Sequence, residues 1–432
     1  MRQIKTICML LATMAVMASC MSSNDSTSTT YSDAAITSFT LGTLTRYLHT
    51  TSKSGGDSIY KQTVTGSSYK FHIDQNLRLI YNTDSLPIGT SVNKVLCTVG
   101  SKNYGTIFIQ DEADENTLNF YSSTDSIDFT NPRKFIVYSN DNTGNHSDYT
   151  VKVNVHKEDA GEFVWHQLDV SEELKELNDL EAYYWAGTMY LMGTVGENTK
   201  IYEVDKNGKL VHNEEIKNIL PSGIKRWIGS TEGEIYALST DDKLMISTDG
   251  GLTWQQDLLD DDEALMPVRD IAFVSYPLDY ATNTEYALMV GNRDKEKYAD
   301  DDIAMVWRKI VDNDEYTPEG RWTYMDHAAN NIYALPNLEH LSLVVYDDGI
   351  LAIGAAEKEG EEWTPYTKIY QSRDDGITWK YNSSYQLPED FDSSTTSVAM
   401  AVDDDMNLWL FCGQTGEVWR GRLNKLGWEF QE

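Results

Sequence analysis

The sequence predicts an all-β protein, with a β-sandwich in its first part and a β-propeller in its second. Three observations lead to this fold class. The segment DYTVKVNVHK at 148–157 alternates apolar and polar side chains, as a strand with one buried face does. All 11 tryptophans lie after residue 160, so the composition changes between the two parts. The phrase STDGGLTW at 247–254 returns as SRDDGITW at 372–379, which indicates a repeated structural unit.

The charge balance excludes one class of partner. The 432 residues include 35 Lys and Arg against 68 Asp and Glu, which gives a formal net charge of -33. A chain this acidic repels the phosphates of nucleic acids, so we expect no DNA or RNA partner. A hydrophobic content of 41% is enough to bury a core in more than one domain.

The first 20 residues predict export and attachment to a membrane. Arg2 and Lys5 precede an apolar run at 7–16, and small residues stand just before Cys20. This is the pattern of a signal peptide over 1–19, and its apolar run is too short to span a bilayer. The sequence VMASC resembles a bacterial lipobox, which implies that Cys20 becomes the lipidated first residue. An ordinary signal peptide cut nearby, with Cys20 as an unmodified thiol, is the alternative.

The next segment is predicted to be a flexible tether. Residues 20–34 are rich in Ser and Thr and show no apolar period. In the lipoproteins that this sequence resembles, Met21 rather than Asp after the cysteine favours the outer membrane. We therefore expect a lipid-anchored cell-envelope protein, on a membrane face that the sequence leaves open. Cys97 and Cys412 would be its other thiols, so no disulfide framework is expected.

Residues 35–157 are predicted to form the β-sandwich. Short strands alternate with turns, and the clearest pair is the segment KFIVYSNDNTGNHSDYTVKV, which predicts a hairpin around Gly144. This segment resembles the closing hairpin of small immunoglobulin-like sandwiches near the membrane end of Bacteroidetes lipoproteins. The resemblance implies a spacer or an adhesive module.

Residues 161–432 are predicted to form the propeller. Five successive segments each fit four short strands, and units of that size bury their faces only by packing against each other. A length of about 270 residues divided by the ~45 of a typical repeat favours six blades over five or seven. The segment EFVWHQLDV resembles the last strands of the repeats and is predicted to close the ring beside the last blade.

The repeated phrase indicates a structural part rather than a catalytic one. It resembles the Asp-box of sialidase-type propellers, a hairpin on the outer rim between the third and fourth strands of a blade. An Asp side chain can accept hydrogen bonds from turn amides, Gly can take positive φ, and Trp can fill the space between blades. The residues of the two boxes are Ser247, Asp249, Gly251, Thr253 and Trp254, and Ser372, Asp374, Gly376, Thr378 and Trp379.

The sequence assigns no catalytic residue, metal site or cofactor. The arginine-containing motif that opens the propeller of sialidases is missing, and the histidines lack the spacing of metal ligands. We therefore expect a binding or scaffold protein for a glycan or an envelope protein, with a divergent sialidase-like glycoside hydrolase as the alternative. The chain as a whole resembles uncharacterised Bacteroidetes lipoproteins with a sandwich and a propeller, and that resemblance implies no particular activity.

The predicted ligand site lies where the first strand of each blade begins, around one mouth of the central channel. The repeats place YYW at 183–185, KRW at 225–227 and VRD at 268–270 there. Aromatic faces beside guanidinium groups suit a sugar ring that carries a carboxylate or a sulfate. In the alternative interpretation, the tryptophans pack between blades and the arginines pair with acidic side chains. The predicted binding residues are Trp185, Arg226, Trp227 and Arg269.

Overall fold

A computed structural model describes most of the chain and divides it into two compact units, one that ends at Lys157 and one that begins at Glu158. The predicted signal peptide over 1–19 and the lipidation site at Cys20 lie outside the described residues. In the described part, every helix is a short 3-10 turn, and none is long and apolar enough to cross a membrane. The described residues are 29–51, 57–196, 198–216, 220–260, 263–278, 281–314, 320–325, 331–359, 362–364 and 366–428.

The first unit consists of short strands and two 3-10 turns, at Gly66–Ser68 and Lys102–Tyr104. Its strands are β1 (Ile36–Leu41), β2 (Thr43–Thr51), β3 (Asp57–Thr65), β4 (Phe71–Asp74), β5 (Leu79–Asn82), β6 (Cys97–Ser101), β7 (Thr106–Gln110), β8 (Leu118–Phe120), β9 (Arg133–Tyr138) and β10 (His146–Lys152). One sheet has the order β4-β5-β10-β9-β7-β8, β1 pairs with β6, and β2 pairs with β3.

The core of the first unit lies between the β1–β6 pair and the six-stranded sheet, which makes the unit a β-sandwich. Leu41 of β1 and Phe135 of β9 belong to one buried cluster. The predicted hairpin is present as β9 and β10, which pair in antiparallel fashion, and β10 also pairs in parallel with β5. Tyr149 and Val151 are fully buried while their neighbour Thr150 is exposed, as the alternation in the sequence predicts. The immunoglobulin likeness stays a prediction.

The second unit is a β-propeller, and its described strands form five sheets of at least four strands each. Blade 1 contains β12 (Asn178–Trp185), β13 (Thr188–Val195), β14 (Asn198–Val204) and β15 (Leu210–Ile216). Blade 2 contains β16 (Ile224–Ser230), β17 (Ile235–Ser239), β18 (Leu244–Ser247) and β19 (Gln255–Gln256). Blade 3 contains β20 (Arg269–Pro277), β21 (Thr284–Asn292), β22 (Met305–Asp312) and β23 (Thr323–Tyr324).

The last two blades complete the ring. Blade 4 contains β24 (Leu338–Tyr346), β25 (Gly349–Glu359), β27 (Tyr370–Ser372) and β28 (Lys380–Tyr381), and β26 (Glu362–Thr364) also pairs with β25. Blade 5 contains β29 (Val398–Val402), β30 (Leu408–Cys412), β31 (Val418–Leu423) and the early strand β11 (Phe163–Gln167). The 3-10 turns of this unit are Leu174–Glu176, Glu263–Leu265 and Asn424–Gly427.

The ring is closed by strands from both ends of the propeller sequence. Strand β11 pairs antiparallel with β31, from Phe163 opposite Leu423 to Gln167 opposite Trp419. The predicted closure of the ring by the EFVWHQLDV segment is therefore right. The first strand of each blade also contacts the first strand of the next, in the order β16, β20, β24, β29 and β12. These five first strands surround the axis of the propeller.

The preference for six blades was wrong, and the alternative of five is right for the described part of the chain. The estimate assumed ~45 residues for each blade. Several strands are longer than a compact repeat allows, with 9 residues in β20, 9 in β21 and 11 in β25. Each blade therefore uses more of the chain, and the same length makes fewer blades.

Apolar side chains fill the spaces between most neighbouring blades. Buried clusters join blades 2 and 3, blades 3 and 4, blades 4 and 5, and blades 5 and 1. Trp307 and Trp322 have no exposed surface in the first of these clusters, and Trp379 of the second repeated phrase lies in the next. These contacts hold the first strands in a fixed ring around the channel.

Candidate functional site

The starts of the first strands meet at one mouth of the channel, which we call the entry mouth. The backbone N–H of Leu180, near the start of β12, donates to Ser397 Oγ just before β29 at 2.9 Å. The backbone N–H of His340, near the start of β24, donates to Asp270 Oδ1 of β20 at 2.9 Å. Residues from four blades therefore converge at this mouth.

Three of these strands carry the same backbone irregularity at their second or third residue. Asp179, Asp270 and His340 have φ values of 48°, 49° and 51°, in the left-handed region. Each lies where the pairing between the first and second strands of its blade shifts register. A non-glycine residue in this region costs roughly 1–2 kcal/mol, and such residues cluster at functional sites. The bulges turn two carboxylates and one imidazole toward the same mouth.

His340 lies between the two aspartates. Its Nδ1 atom is 3.8 Å from Asp179 Oδ1. The Asp270 carboxylate also accepts hydrogen bonds from Arg269 Nη1 at 2.7 Å and from Asn292 Nδ2 at 3.2 Å. Asp179 is different, because its side chain is 67% exposed and accepts from Thr194 Oγ1 at 3.0 Å. Asp179 is thus the carboxylate that a ligand can reach most easily.

Arg269 is held by neighbouring groups at the entry mouth. Besides its pair with Asp270, its Nε donates to the carbonyl oxygen of Arg293 at 2.9 Å and its Nη2 to Asn337 Oδ1 at 3.4 Å. Arg293 is in turn held by both carboxylate oxygens of Asp301, at 2.6 and 2.7 Å. This arrangement agrees with the alternative interpretation, in which Arg269 pairs with acids.

Farther along β12, the channel wall carries a smaller polar cluster. The Tyr183 hydroxyl donates to Glu181 Oε2 at 2.6 Å. Arg226 of blade 2 donates from Nη2 to the carbonyl oxygen of Ile271 at 3.0 Å and lies 3.8 Å from Glu181 Oε1. Burial raises the pKa of Tyr183 well above its ordinary value, and the nearby Glu181 carboxylate adds to this. Yet the Tyr183 side chain is 49% exposed, so it faces an open space inside the propeller.

The structure separates the predicted binding residues. The expectation that YYW enters its blade is wrong, because β12 begins at Asn178 and Trp185 is its last residue, at the far end of the strand from the entry mouth. Trp185 is 72% exposed. Arg226 and Trp227 lie within β16, and Arg269 is the first residue of β20. Trp185 and Arg269 are therefore at opposite ends of the channel.

Sequence reasoning assigned no role to four residues at the entry mouth, although it placed Asp270 there within VRD and a signal for three of them exists. A polar residue followed by a buried apolar one recurs at Asp179–Leu180, Asp270–Ile271 and His340–Leu341. That step marks the start of an inner strand in blades 1, 3 and 4. The fourth missed residue is Glu339, whose Oε1 lies 3.4 Å from Lys295 Nζ.

The two repeated hairpins are held by a network of side-chain hydrogen bonds. In the first, Asp249 accepts from the Thr253 backbone N–H at 2.9 Å and from its hydroxyl at 2.6 Å. Ser247 Oγ donates to Asp249 Oδ1 at 2.8 Å and accepts from the Gly251 N–H at 2.9 Å, and Trp254 Nε1 donates to the Gly251 carbonyl oxygen at 3.0 Å. Hydrogen bonds from Thr253 above all lower the pKa of Asp249 to about 2.

The second hairpin repeats these bonds and has the same place in its blade. Its members are Ser372, Asp374, Gly376, Thr378 and Trp379. One hairpin joins β18 to β19 and the other joins β27 to β28, between the third and fourth strands of their blades. The carboxylates of both hairpins are occupied by the turns that they stabilise, so we assign them no chemistry.

The described residues contain no group of three or more His, Cys, Asp or Glu side chains that could hold a metal ion. His340 and its two aspartates lie close together but do not form such a group. Asp270, however, already accepts from three donors, which leaves it little capacity for a cation. The entry mouth is therefore better suited to hydrogen-bonding a polar ligand than to coordinating an ion.

Several solved propeller structures resemble this chain at low identity. An endo-arabinase from Bacteroides thetaiotaomicron is 13% identical, with a TM-score of 0.36 over 57% of this chain and 92% of that one. A family 117 glycoside hydrolase from the marine bacterium Zobellia galactanivorans is 11% identical, with a TM-score of 0.35 over 61% of this chain and 91% of that one. No curated protein matches the chain.

Two family models match, and they correspond to the two units. The model of the DUF6242 N-terminal domain, a domain of unknown function, matches residues 39–153. The model of the DUF6242 beta propeller domain matches residues 214–431, about half of the chain. The chain belongs to the DUF6242 family.

Proposed function

We propose that this protein is a lipid-anchored component of the cell envelope and that its propeller binds a glycan in the central channel. In this proposal the lipid on Cys20 holds the chain at the outer membrane, and the immunoglobulin-like sandwich serves as a spacer. The signal peptide pattern and the sequence VMASC support the anchor. The formal charge of -33 makes electrostatic attachment to an anionic membrane unfavourable, so the lipid would carry the attachment.

The observation that carries the binding proposal is the polar cluster on the channel wall. The carboxylate of Glu181 joins the cluster, because its Oε2 accepts from the hydroxyl of the half-exposed Tyr183 and its Oε1 lies 3.8 Å from Arg226 Nη2. An aromatic face can stack on the apolar face of a sugar ring, while a carboxylate and a guanidinium can bond its hydroxyl groups. Asp179 offers another exposed acceptor at the entry mouth.

A glycan array with the purified full chain tests this function. We expect binding to at least one glycan class, and we expect Glu181→Ala and Arg226→Ala to weaken it, because each removes a polar group from the channel wall. The matched control is Glu172→Ala, since Glu172 is a 79% exposed acid that belongs to no strand of the propeller. If the array shows no glycan that discriminates Glu181→Ala from Glu172→Ala, the channel is not a glycan site.

The anchor needs a separate experiment. We expect the Cys20→Ser variant to lose labelling by a palmitate analogue and to leave the membrane fraction, because the thioether to the lipid cannot form. Labelling that persists in this variant would contradict the lipid anchor, whatever the propeller binds.

Glycoside hydrolysis is the second candidate, and one observation favours it. Asp179, Asp270 and Glu339 reach the same mouth from three different inner strands, and paired carboxylates are the machinery of most glycosidases. In this role Asp179, the exposed carboxylate, would act on the substrate while Asp270 holds His340. Incubation of array hits with the wild type and with Asp179→Asn, followed by an assay for new reducing ends, distinguishes a hydrolase from a binding protein.

A further inference from the structure

The two faces of blade 1 differ sharply in burial. The face toward blade 5 is closed, with Met189, Leu191 and Tyr202 at most 4% exposed. Residues that pair directly across antiparallel strands share a face, so Tyr183 and its partner Tyr190 lie together on the other side of the blade. Tyr183 is 49% exposed and Tyr190 is half-buried. A closed propeller buries both faces of each blade, whereas the described side chains of this blade are buried on one face and half-exposed on the other.

The opposite wall belongs to blade 2. Tyr236 and Leu238 of β17 point toward blade 3, where they join a buried cluster. Side chains alternate along a strand, so Ala237 and its direct partners Trp227 and Met245 point toward blade 1. Trp227 and Met245 are half-buried.

A second tryptophan extends this wall. Trp254 of the first repeated hairpin packs on Trp227, with ring centroids 5.2 Å apart and the rings inclined at 58°. Blade 2 thus presents two tryptophans toward the half-exposed tyrosines of blade 1.

The contacts around the axis show the same gap. Each first strand contacts the first strand of the next blade, in the order β16, β20, β24, β29 and β12. Among the described residues, β12 and β16 share no comparably extensive contact. The buried apolar clusters of the described chain also leave out the junction of blades 1 and 2. Arg226 and Glu181 do approach across it, at 3.8 Å.

We infer that the space between blades 1 and 2, the interblade cleft, is a binding site for a neutral oligosaccharide. Its walls are aromatic on both sides, with Tyr183, Trp185 and Tyr190 on blade 1 and Trp227 and Trp254 on blade 2. Flat rings spaced along two facing walls can stack on successive sugar rings of an extended chain. This inference rests on the proposed glycan-binding function and adds the ligand class and the path of the chain.

The charges of the cleft select a neutral chain over an acidic one. Glu181 and Glu203 lie on the blade 1 wall, because Glu181 pairs with Met192 and Glu203 pairs with Tyr190. Arg226 pairs with Leu238, which points toward blade 3, and its Nη2 bonds the Ile271 carbonyl oxygen of that blade and lies 3.8 Å from Glu181, so it offsets only part of this negative charge. The excess of carboxylates repels uronic acids and sulfates and can accept hydrogen bonds from sugar hydroxyls. This reverses the expectation, drawn from the arginines in the sequence, of a sugar with a carboxylate or a sulfate.

The openness of the cleft can be tested without a ligand. Hydroxyl-radical footprinting of the full chain should modify Tyr183, Trp185 and Tyr190, whereas Tyr202 on the closed face of the same blade should stay protected. Protection of Tyr183 and Tyr190 equal to that of Tyr202 would show that blades 1 and 2 close on each other and would overturn the inference.

Binding is tested by calorimetric titration with four neutral hexasaccharides, cellohexaose, xylohexaose, mannohexaose and maltohexaose, and with hexagalacturonate as the acidic counterpart. We expect one neutral chain to bind and hexagalacturonate not to bind. We expect Trp185→Ala to weaken the affinity roughly threefold to tenfold, from the loss of one stacking contact. Trp185 is 72% exposed, so this variant keeps the fold. Trp227→Phe keeps a ring beside Trp254 and should weaken binding less.

The control and the contrary outcomes separate this inference from the proposed function. Tyr381→Ala removes a 50% exposed aromatic side chain from the outer strand of blade 4 and should leave the affinity unchanged. If Glu181→Ala weakens the binding of a glycan but Trp185→Ala changes its affinity less than twofold, the proposed channel function stands and the inference of a cleft site is overturned. The inference would also be overturned if the protein bound hexagalacturonate more tightly than the neutral chains, or if it bound a peptide and none of the hexasaccharides.

Discussion

A buried ionic triad between blades 2 and 3 offers a sharp test of the packing. Lys309 of β22 places its Nζ 2.8 Å from Glu234 Oε2 and 3.2 Å from Asp257 Oδ2, and the three side chains are at most 7% exposed. Trp322 Nε1 donates to Asp257 at 3.0 Å, and the Tyr236 hydroxyl donates to Glu234. One cation therefore neutralises two carboxylates that have almost no access to water.

We expect Lys309→Met to be strongly destabilising. The methionine fills a similar volume but leaves Glu234 and Asp257 as neighbouring buried acids without a counter-ion. Removing one partner of a buried ion pair costs about 3–5 kcal/mol. For a domain of this size, that corresponds to a drop in melting temperature of roughly 6–20 °C. Differential scanning calorimetry of the full chain measures it.

The loss should depend on pH in a defined direction. Burial raises the pKa of Asp257, and Lys309 opposes that rise. An acid whose pKa is higher in the folded state than in the unfolded state binds its proton more tightly when folded, so its contribution to stability falls as pH rises from about 4. Loss of Lys309 raises this pKa further. The deficit of Lys309→Met should therefore be smallest near pH 4 and grow toward pH 7.

Two further variants make the test decisive. Lys297→Met removes a 69% exposed lysine paired with Asp294 and should leave the melting temperature unchanged. The triple variant Lys309→Met, Glu234→Gln, Asp257→Asn removes all three charges and should recover most of the loss, because no uncompensated charge stays buried. If Lys309→Met melts at the same temperature as Lys297→Met, or if its loss of stability becomes smaller toward pH 7, the reasoning about buried charge is refuted.

Three other predictions follow from local geometry. Asp374→Ala should lower the melting temperature more than Asp249→Ala because its hairpin is more buried, and equal melting curves at pH 7 would contradict this. The Asp249 carboxylate has a folded pKa of about 2, so the effect of Asp249→Ala should fade as pH falls from about 4 to 2. The pKa of Asp374 is lowered too, so the effect of Asp374→Ala should also fade as pH falls below about 4. Gly376→Ala should lower the free energy of unfolding by roughly 2–4 kcal/mol in a denaturant titration, because Gly376 has a φ of 86° and a Cβ there would lie 2.9 Å from a valine methyl group. Gly250 has a φ of 75° but no atom within 4 Å of such a Cβ, so Gly250→Ala should cost about 1 kcal/mol. Burial raises the pKa of the Cys97 thiol to about 12, so maleimide at pH 7 should label it only after denaturant is added, as peptide mass spectrometry can show.

The large features of the fold could be predicted because they depend on patterns with a period. The alternation around Tyr149 predicts the hairpin of the sandwich, and the second copy of the STDGGLTW phrase predicts that blades repeat. Closure by the segment after Phe163 follows from its likeness to the last strands. Blade number does not follow in this way, because it depends on how much chain each blade uses, and strands such as Gly349–Glu359 are long.

The candidate site could be predicted only in part. Arg226 and Trp227 were found because aromatic and basic residues stand out in an acidic chain, and both lie on an inner strand. Asp179 and His340 were missed because their importance comes from a positive φ and a shift of register, which no side-chain period reports. Trp185 was placed at the wrong mouth because the start of the strand was put at the aromatic run YYW, whereas β12 begins with polar residues at Asn178.

The pairing of β11 with β31 sets the order in which the molecule can be completed. The ribosome makes β11 before every other propeller strand and β31 after all of them, so the fifth blade cannot form until synthesis has passed Leu423. Until then β11 lacks β31, its one neighbour among the described strands, and its backbone groups form an open edge that other chains can join. A chain interrupted before Val418 would keep that edge open, which would expose it to chaperones and proteases.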